Sequence, residues 1–374
     1  MRQILLRISL ENPWTFGPVD GLAGIGIGGV WLLFGLFLLG TGCWRSRSWK
    51  PAVDGGSIAT WVLAGLAALT APSWAPASSF PIYSYGFMLF LGFIAAAWLG
   101  AHRAQQAGLD GSLVWDVAMW IFLAGIAGAR AFYLIQYREQ AFAGKEGFEI
   151  ISTIFNLPQG GLVLLGGVVP GLLAFLYFCR RKQIHPLQLA DILTPSIFVG
   201  LAFGRLGCFM NGCCYGDVCE LPWAVQFPAG SVPFHGMLSQ GRIEPGMAST
   251  PPLHPTQIYS SIMAVVLAVI TSQYYKRRPR TGAVLALACL LYPINRFVLE
   301  ELRSDEPGQF GTSLTISQWV SMGLFLFGIG FSIWLSRRPG DVPPASENLT
   351  TAETPSDKPS SQNTTGRSSR KATA

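Results

Sequence analysis

The stretch GRLGCFMNGCCYGDVC, residues 204–219, governs how the rest of the chain is read. It continues the apolar run IFVGLAF at 197–203, yet it carries an arginine and then four cysteines. An apolar run of this kind belongs in hydrocarbon, where an ionisable side chain is costly and marks a functional position. Either the cysteines carry the chemistry and Arg205 is incidental, or the arginine carries it and the cysteines are scaffold.

The remaining sequence favours a membrane setting. Of 374 residues, 50% are hydrophobic and only 12% charged, against about a quarter charged in a soluble domain. Apolar runs able to cross about 30 Å of hydrocarbon recur along the chain. The fold expected is therefore an all-α polytopic membrane protein. Nine candidate spans lie near 21–43, 57–73, 82–102, 113–136, 160–178, 188–209, 257–275, 282–302 and 316–335.

Basic residues collect in alternate connections: Arg45, Arg47 and Lys50; His102 and Arg103; Arg180 to Lys182; Lys276 to Arg280; Arg337 and Arg338. The intervening loops are mixed or acidic. The positive-inside rule makes the basic side cytoplasmic, with the N-terminus outside and the C-terminus inside. The net charge of +6 is then explained by topology and anionic lipid, and no nucleic-acid partner is expected.

Residues 1–20 lack the continuous apolar region and cleavage site of a signal peptide. Residues 339–374, rich in Ser, Thr, Pro and Ala, read as a disordered cytoplasmic tail. No internal repeat points to a transporter. GGLVLLGGVVPG at 160–171 lacks the GxxxxGK[ST] pattern of a phosphate loop. Its small residues suit close helix packing or lateral lipid entry.

Three arginines fall in the outer halves of spans: Arg130, Arg205 and Arg296. Arg296, Glu300 and Arg303 share one helix face. Gly204, Gly207 and Asn211 also follow helical spacing and admit a close neighbour. Each arginine alone is accounted for by snorkelling or pairing at a helix end. Three at one depth form a receptor for phosphate, because the planar guanidinium donates two parallel hydrogen bonds. Phosphate at that depth belongs to lipid headgroups.

His254, in PPLHPTQIYSS just before a span, reads as a structural cap or as a base or headgroup ligand. His102 is an anchor on the basic side; His185 and His235 lack context. Cys208, Cys213, Cys214 and Cys219 lie at or beyond the outer end of a span, in a compartment that favours disulfides. Structural bridges are the plainest reading. A metal site without paired CxxC knuckles, a redox pair without CxxC and free thiols stand beside it. Cys43, Cys179 and Cys289 read as small hydrophobes.

Several segments, in order, resemble the prolipoprotein diacylglyceryl transferase family. They are FPIYSYGFMLFLGF (80–93), GIAGARAFYLIQY (125–137), GGLVLLGG (160–167), GRLGCFMNGCCYG (204–216), LHPTQIYSS (253–261) and YPINRFVLEELRSDE (292–306). The resemblance implies a seven-span core at 80–338, preceded by a two-span extension within 1–79. It implies a bacterial inner-membrane enzyme whose active site opens to the outer leaflet. That enzyme moves the diacylglyceryl group of phosphatidylglycerol onto the lipobox cysteine thiol of a prolipoprotein. A thioether forms, glycerol phosphate leaves, and no cofactor or metal is called for. By resemblance Arg205 contacts the lipid phosphate, Arg296 is the second essential arginine, and Tyr85 stands beside the headgroup. His254 belongs to the HPxQ block, and Asn211, Gly212 and Gly216 complete the signature. Arg130 and Glu300 join the expected lipid-binding set.

Four positions depart from the family pattern. Leu165 stands where many members carry a histidine thought to act as base or headgroup contact. Cys208 replaces an asparagine, Cys213 a glutamate, and Ser260 the glutamate after the HPxQxY block. His254 is the first replacement base, with Tyr85 or Glu300 behind it. A disulfide could stand in for the hydrogen bonds of the residues that Cys208 and Cys213 replace. Arginine chemistry on a cysteine scaffold is the resulting expectation. An inactive relative that binds anionic lipid or the precursor is the alternative, and a membrane thiol oxidoreductase is a third class.

Overall fold

The computed structural model describes residues 4–9, 14, 16–19, 22–33, 66, 70, 79–144, 146–155, 161, 163–303, 308, 309 and 311–338. It opens with four short strands: β1 (Ile4–Ser9), β2 (Phe16–Val19), β3 (Leu22–Gly26) and β4 (Ser79–Tyr83). They form one sheet in the order β2-β3-β1-β4, with β1 parallel to β3 and antiparallel to β4. Pro81 lacks an N–H, and it sits on β4 at the sheet edge, where a missing donor is tolerated.

This sheet corrects the expected span at 21–43. Leu22–Gly26 is strand, and helix begins at residue 27. The glycines of GLAGIGIGG weaken a helix, and β1 and β2 offer the stretch ladder partners on both sides. Residues 34–43 of that span, nearly all of 57–73, and the tail at 339–374 lie outside the described residues.

The helices follow as α1 (Ser84–Gln106), α2 (Ser112–Gln136), α3 (Arg138–Phe142), α4 (Phe148–Phe155), α5 (Leu164–Lys182), α6 (Pro186–Asn211), α7 (Val232–Ser239), α8 (Thr256–Arg277), α9 (Ala283–Glu300) and α10 (Ile316–Ser336). Six of them, α1, α2, α6, α8, α9 and α10, are long and apolar enough to cross a membrane. The 19-residue α5 occupies the expected span at 160–178 and packs along α2. Helix α6 is central, flanked chiefly by α1 and α8, while α9 packs on α10.

The packing suits lipid as solvent. Large apolar side chains such as Trp98, Leu123, Ile135 and Leu326 face outward. The interior holds small and polar residues, among them Ala97, Ala101, Ala202, Ser196, Ser261 and Thr271. Small side chains let backbones approach, and buried hydroxyls bond across or along helices; Ser261 Oγ donates to the Ala202 carbonyl of α6 at 3.0 Å.

The two ends of the bundle differ. At one end Asp191, fully buried, accepts from the Gly282, Val284 and Leu285 amides of α9 at 2.7, 3.1 and 3.0 Å. It also accepts from Arg278 at 3.1 Å. Its carboxylate thus caps the positive end of the α9 dipole. Arg103 stands at the same end, donating to the Ile192 carbonyl at 3.1 Å and covering Tyr275. Alternation of helix direction then carries Tyr85, Asn211, Thr256 and Glu300 to the opposite end. Residues 212–255 fold over that end around a core of Tyr215, Phe227, Phe234, Met237, Ile243 and Leu253.

Candidate functional site

The site is assembled where α6 stops. Gly212 ends the helix in a left-handed turn at φ 85, its amide donating to the Cys208 and Phe209 carbonyls at 2.8 and 3.2 Å. Glycine reaches this region without steric cost. The chain then crosses to the segment before α8. The Gly216 amide donates to the His254 carbonyl at 3.0 Å, and the His254 amide donates to Asp217 O at 2.9 Å. A Cβ on Gly216 would stand 2.6 Å from His254 Cβ, so the signature glycine is the space that His254 occupies. The first turn of α8 holds the cysteine backbone. Thr256 Oγ1 donates to Cys214 O at 2.7 Å, and Gln257 Nε2 donates to Cys213 O at 2.8 Å. Gln257 Oε1 is buried and has no partner.

Arg205 and Arg296 line one small cavity with Ser260, Tyr292 and Asn295. Arg296 pairs with Glu300 and donates to Ser317 Oγ at 2.9 Å. Glu300 is 2% exposed, and it also faces Arg303 at 3.5 Å and accepts from Thr315 Oγ1 at 3.0 Å. A buried carboxylate held by this many donors fixes the arginine beside it. Arg205 makes no hydrogen bond or ion pair with any described residue. Its donors are therefore available to an anion entering the cavity.

The expected site residues divide into those brought together and those placed elsewhere. Tyr85 faces Gly207 of α6, where an added Cβ would stand 3.1 Å from its Cδ2. It lies within electrostatic reach of Arg205 and of Cys208, Cys213 and Cys214. Asn211 closes α6 two residues before Cys213. His254 Nδ1 is 3.4 Å from Tyr259 Oη, which accepts from Trp223 Nε1 at 2.6 Å. Its ring is thus engaged with Tyr259, and it does not line the arginine cavity.

Arg130 departs from expectation. Its guanidinium is buried and spent on the carbonyls of Thr153, Ile154 and Gly161. It ties the end of α4 to the segment before α5 and is not a third cation at the arginine cavity. Helix-end carbonyls attract a cation strongly, and sequence distance hides such a partnership. Leu165 stands in the first turn of α5.

The expected disulfides are not formed: Cys208, Cys213, Cys214 and Cys219 are all free thiols. The sulfurs of Cys208, Cys213 and Cys214 lie within 4.8 Å of one another, a cluster of three in place of pairs. Cys214 is held in a left-handed conformation at φ 60, uncommon for a side chain other than glycine. Hydrogen bonds from Cys208 and Cys213, and then the charges of Arg303 and Arg205, hold its thiol well below the usual range. Ser317 and Thr315 escaped the sequence reading, whereas Gln257 is the glutamine of the HPxQ block. Only Thr315 had a local signal, the TxxQ capping box that opens α10.

The fold and site define a class: a multi-pass, all-α membrane protein that presents a guanidinium unpaired among the described residues beside a second, carboxylate-held one. The model of the prolipoprotein diacylglyceryl transferase family matches residues 73–334, and the chain belongs to that family. The phosphatidylglycerol–prolipoprotein diacylglyceryl transferase of Rhodopirellula baltica is 32% identical over 343 residues, covering 64% of this chain and 70% of its own. The enzyme so named in Nitratidesulfovibrio vulgaris is 33% identical over 268 residues, covering 70% of this chain and 91% of its own. That of Clostridium tetani is 31% identical over 253 residues, covering 66% and 93%.

Proposed function

We propose that this chain transfers the diacylglyceryl group of phosphatidylglycerol to the lipobox cysteine thiol of a prolipoprotein, the first step of lipoprotein maturation. The observation that carries the reading is Arg205: a guanidinium with no hydrogen bond or ion pair among the described residues, in the same cavity as Arg296. A half-buried guanidinium at membrane depth favours a partner anion, and a lipid phosphate supplies a bidentate acceptor for it. The names of the relatives supply the donor and the acceptor class.

In the reaction the acceptor sulfur attacks the glyceryl carbon bonded to the phosphate oxygen. A carbon–sulfur bond forms, the carbon–oxygen bond breaks, and glycerol phosphate leaves with the electron pair. Charge gathers on the phosphate as it departs, and Arg205 with the fixed Arg296 stabilises it there. Tyr85 borders the headgroup, and the 212–217 turn with His254 forms the wall facing the peptide. The site end is opposite the basic end, so the positive-inside rule turns it to the outer leaflet, where secreted precursors arrive. The same rule places the C-terminus in the cytoplasm.

The test is transfer in proteoliposomes containing phosphatidylglycerol and a lipobox peptide. Wild type is expected to form the thioether and Arg205→Ala to lose it. Well-folded wild type that binds lipid and transfers nothing would overturn the reading in favour of an inactive lipid-binding relative.

A further inference from the structure

Two features of the site remain unused by that reaction. The attacking thiol comes from the substrate, yet three protein thiols crowd the site. Leu165, an aliphatic residue, stands in the glycine-rich first turn of α5, where the family resemblance places a histidine. These features have one explanation.

We propose that Cys208, Cys213 and Cys214 hold a zinc ion whose fourth position takes the acceptor cysteine of the prolipoprotein and presents it as a thiolate. The inference rests on the transferase reading for the identity of that fourth ligand. The three sulfurs lie within 4.8 Å of one another, and sulfurs at about 2.3 Å from one zinc ion stand about 3.8 Å apart in tetrahedral geometry. Small side-chain adjustments close that difference. Structural zinc sites use four protein ligands, whereas sites that act on a substrate supply three and leave one position open. The cluster contains three donors, with no histidine or carboxylate joining it among the described residues.

The surroundings suit such an ion. Three thiolates and Zn²⁺ sum to one negative charge, and Arg205 and Arg303 both act electrostatically on Cys214. The ligand backbone is braced from a second helix through Thr256 and Gln257, the kind of outer support that orients metal ligands. Gln257 also keeps a buried, unpartnered Oε1 beside Cys213, an acceptor for a backbone N–H of an incoming peptide. A thiol that coordinates zinc gives up its proton on binding. The proton leaves to solvent, and the metal-bound sulfur then attacks the glyceryl carbon as above. No oxidant or reductant is involved. Arg205 lines the anion cavity and acts electrostatically on Cys214, which links the activated sulfur to the lipid phosphate.

The experiment uses full-length protein in lipid nanodiscs. Elemental analysis is expected to find one zinc per chain. Cobalt in its place should show a sulfur-to-cobalt charge-transfer band that changes when a lipobox peptide is added, and not when its cysteine is serine. A chelator should lower transfer at least about ten-fold, with zinc restoring it. Cys213→Ser should lose metal affinity, and Cys213→His, which keeps a zinc donor, should retain most of it. Wild type that is metal-free and fully active overturns the zinc proposal and leaves the transferase reading standing. Copper in place of zinc, or a cobalt spectrum blind to the peptide thiol, also overturns it. A spectrum that responds to the thiol without any transfer upholds the metal site and sinks the transferase reading.

Discussion

Glu300 and Arg296 are one helical turn apart on α9, and their buried ion pair shares its carboxylate with Arg303 at 3.5 Å. This relationship sets the character of the cavity. It neutralises and orients one guanidinium, and leaves Arg205 as the one with free donors. Replacing Glu300 with Gln is expected to leave two buried cations undercompensated and to cost about 3–5 kcal/mol. Thermal unfolding in detergent measures the loss, and transfer should fall with it even at temperatures where the variant stays folded.

Arg205 is expected to behave in the opposite way. With no hydrogen bond or ion pair to lose among the described residues, Arg205→Lys should change stability by less than about 0.5 kcal/mol. Loss of the planar fork should still reduce kcat/KM about ten-fold or more. An unchanged kcat/KM would show that the arginine does not meet the phosphate.

Arg130 is predicted to be a residue of stability. Arg130→Ala frees the Thr153, Ile154 and Gly161 carbonyls, with an expected cost of about 2–4 kcal/mol for several charge-assisted bonds. Folded Arg130→Ala protein at low temperature should retain transfer. A stable but inactive variant would return Arg130 to the lipid-binding set.

At the far end, Asp191→Asn should weaken the cap on α9 and its pair with Arg278 by about 2–4 kcal/mol. Transfer by the folded fraction should be unaltered, because Asp191 lies at the opposite end of α6 from Arg205. Comparing the melting curve with the specific activity of the folded protein checks this separation.

Gly216→Ala forces a methyl group to 2.6 Å from His254 Cβ and 2.8 Å from the Leu302 carbonyl. Overpacking of this kind costs about 1–3 kcal/mol. It should displace His254 and the cysteine turn together, raising KM for the peptide before stability fails.

Sequence alone determined the membrane class, because long apolar runs and alternating basic loops are local records of the bilayer. It also determined the family, since its motifs are short and ordered, and it located Arg205, Arg296 and Glu300 through charge in apolar surroundings and helical spacing. Tertiary structure decided what spacing cannot encode. The sheet joins Arg7 to Pro81 across the first eighty residues, and Arg130 finds its carbonyls more than twenty residues away. The cysteines were legible as a group, but pairing and clustering have the same sequence signature. Their outcome depends on how the turn after α6 is held by Thr256 and Gln257. A residue's solvent is written along the chain, whereas its partner is set by which segments the fold brings within a few ångströms.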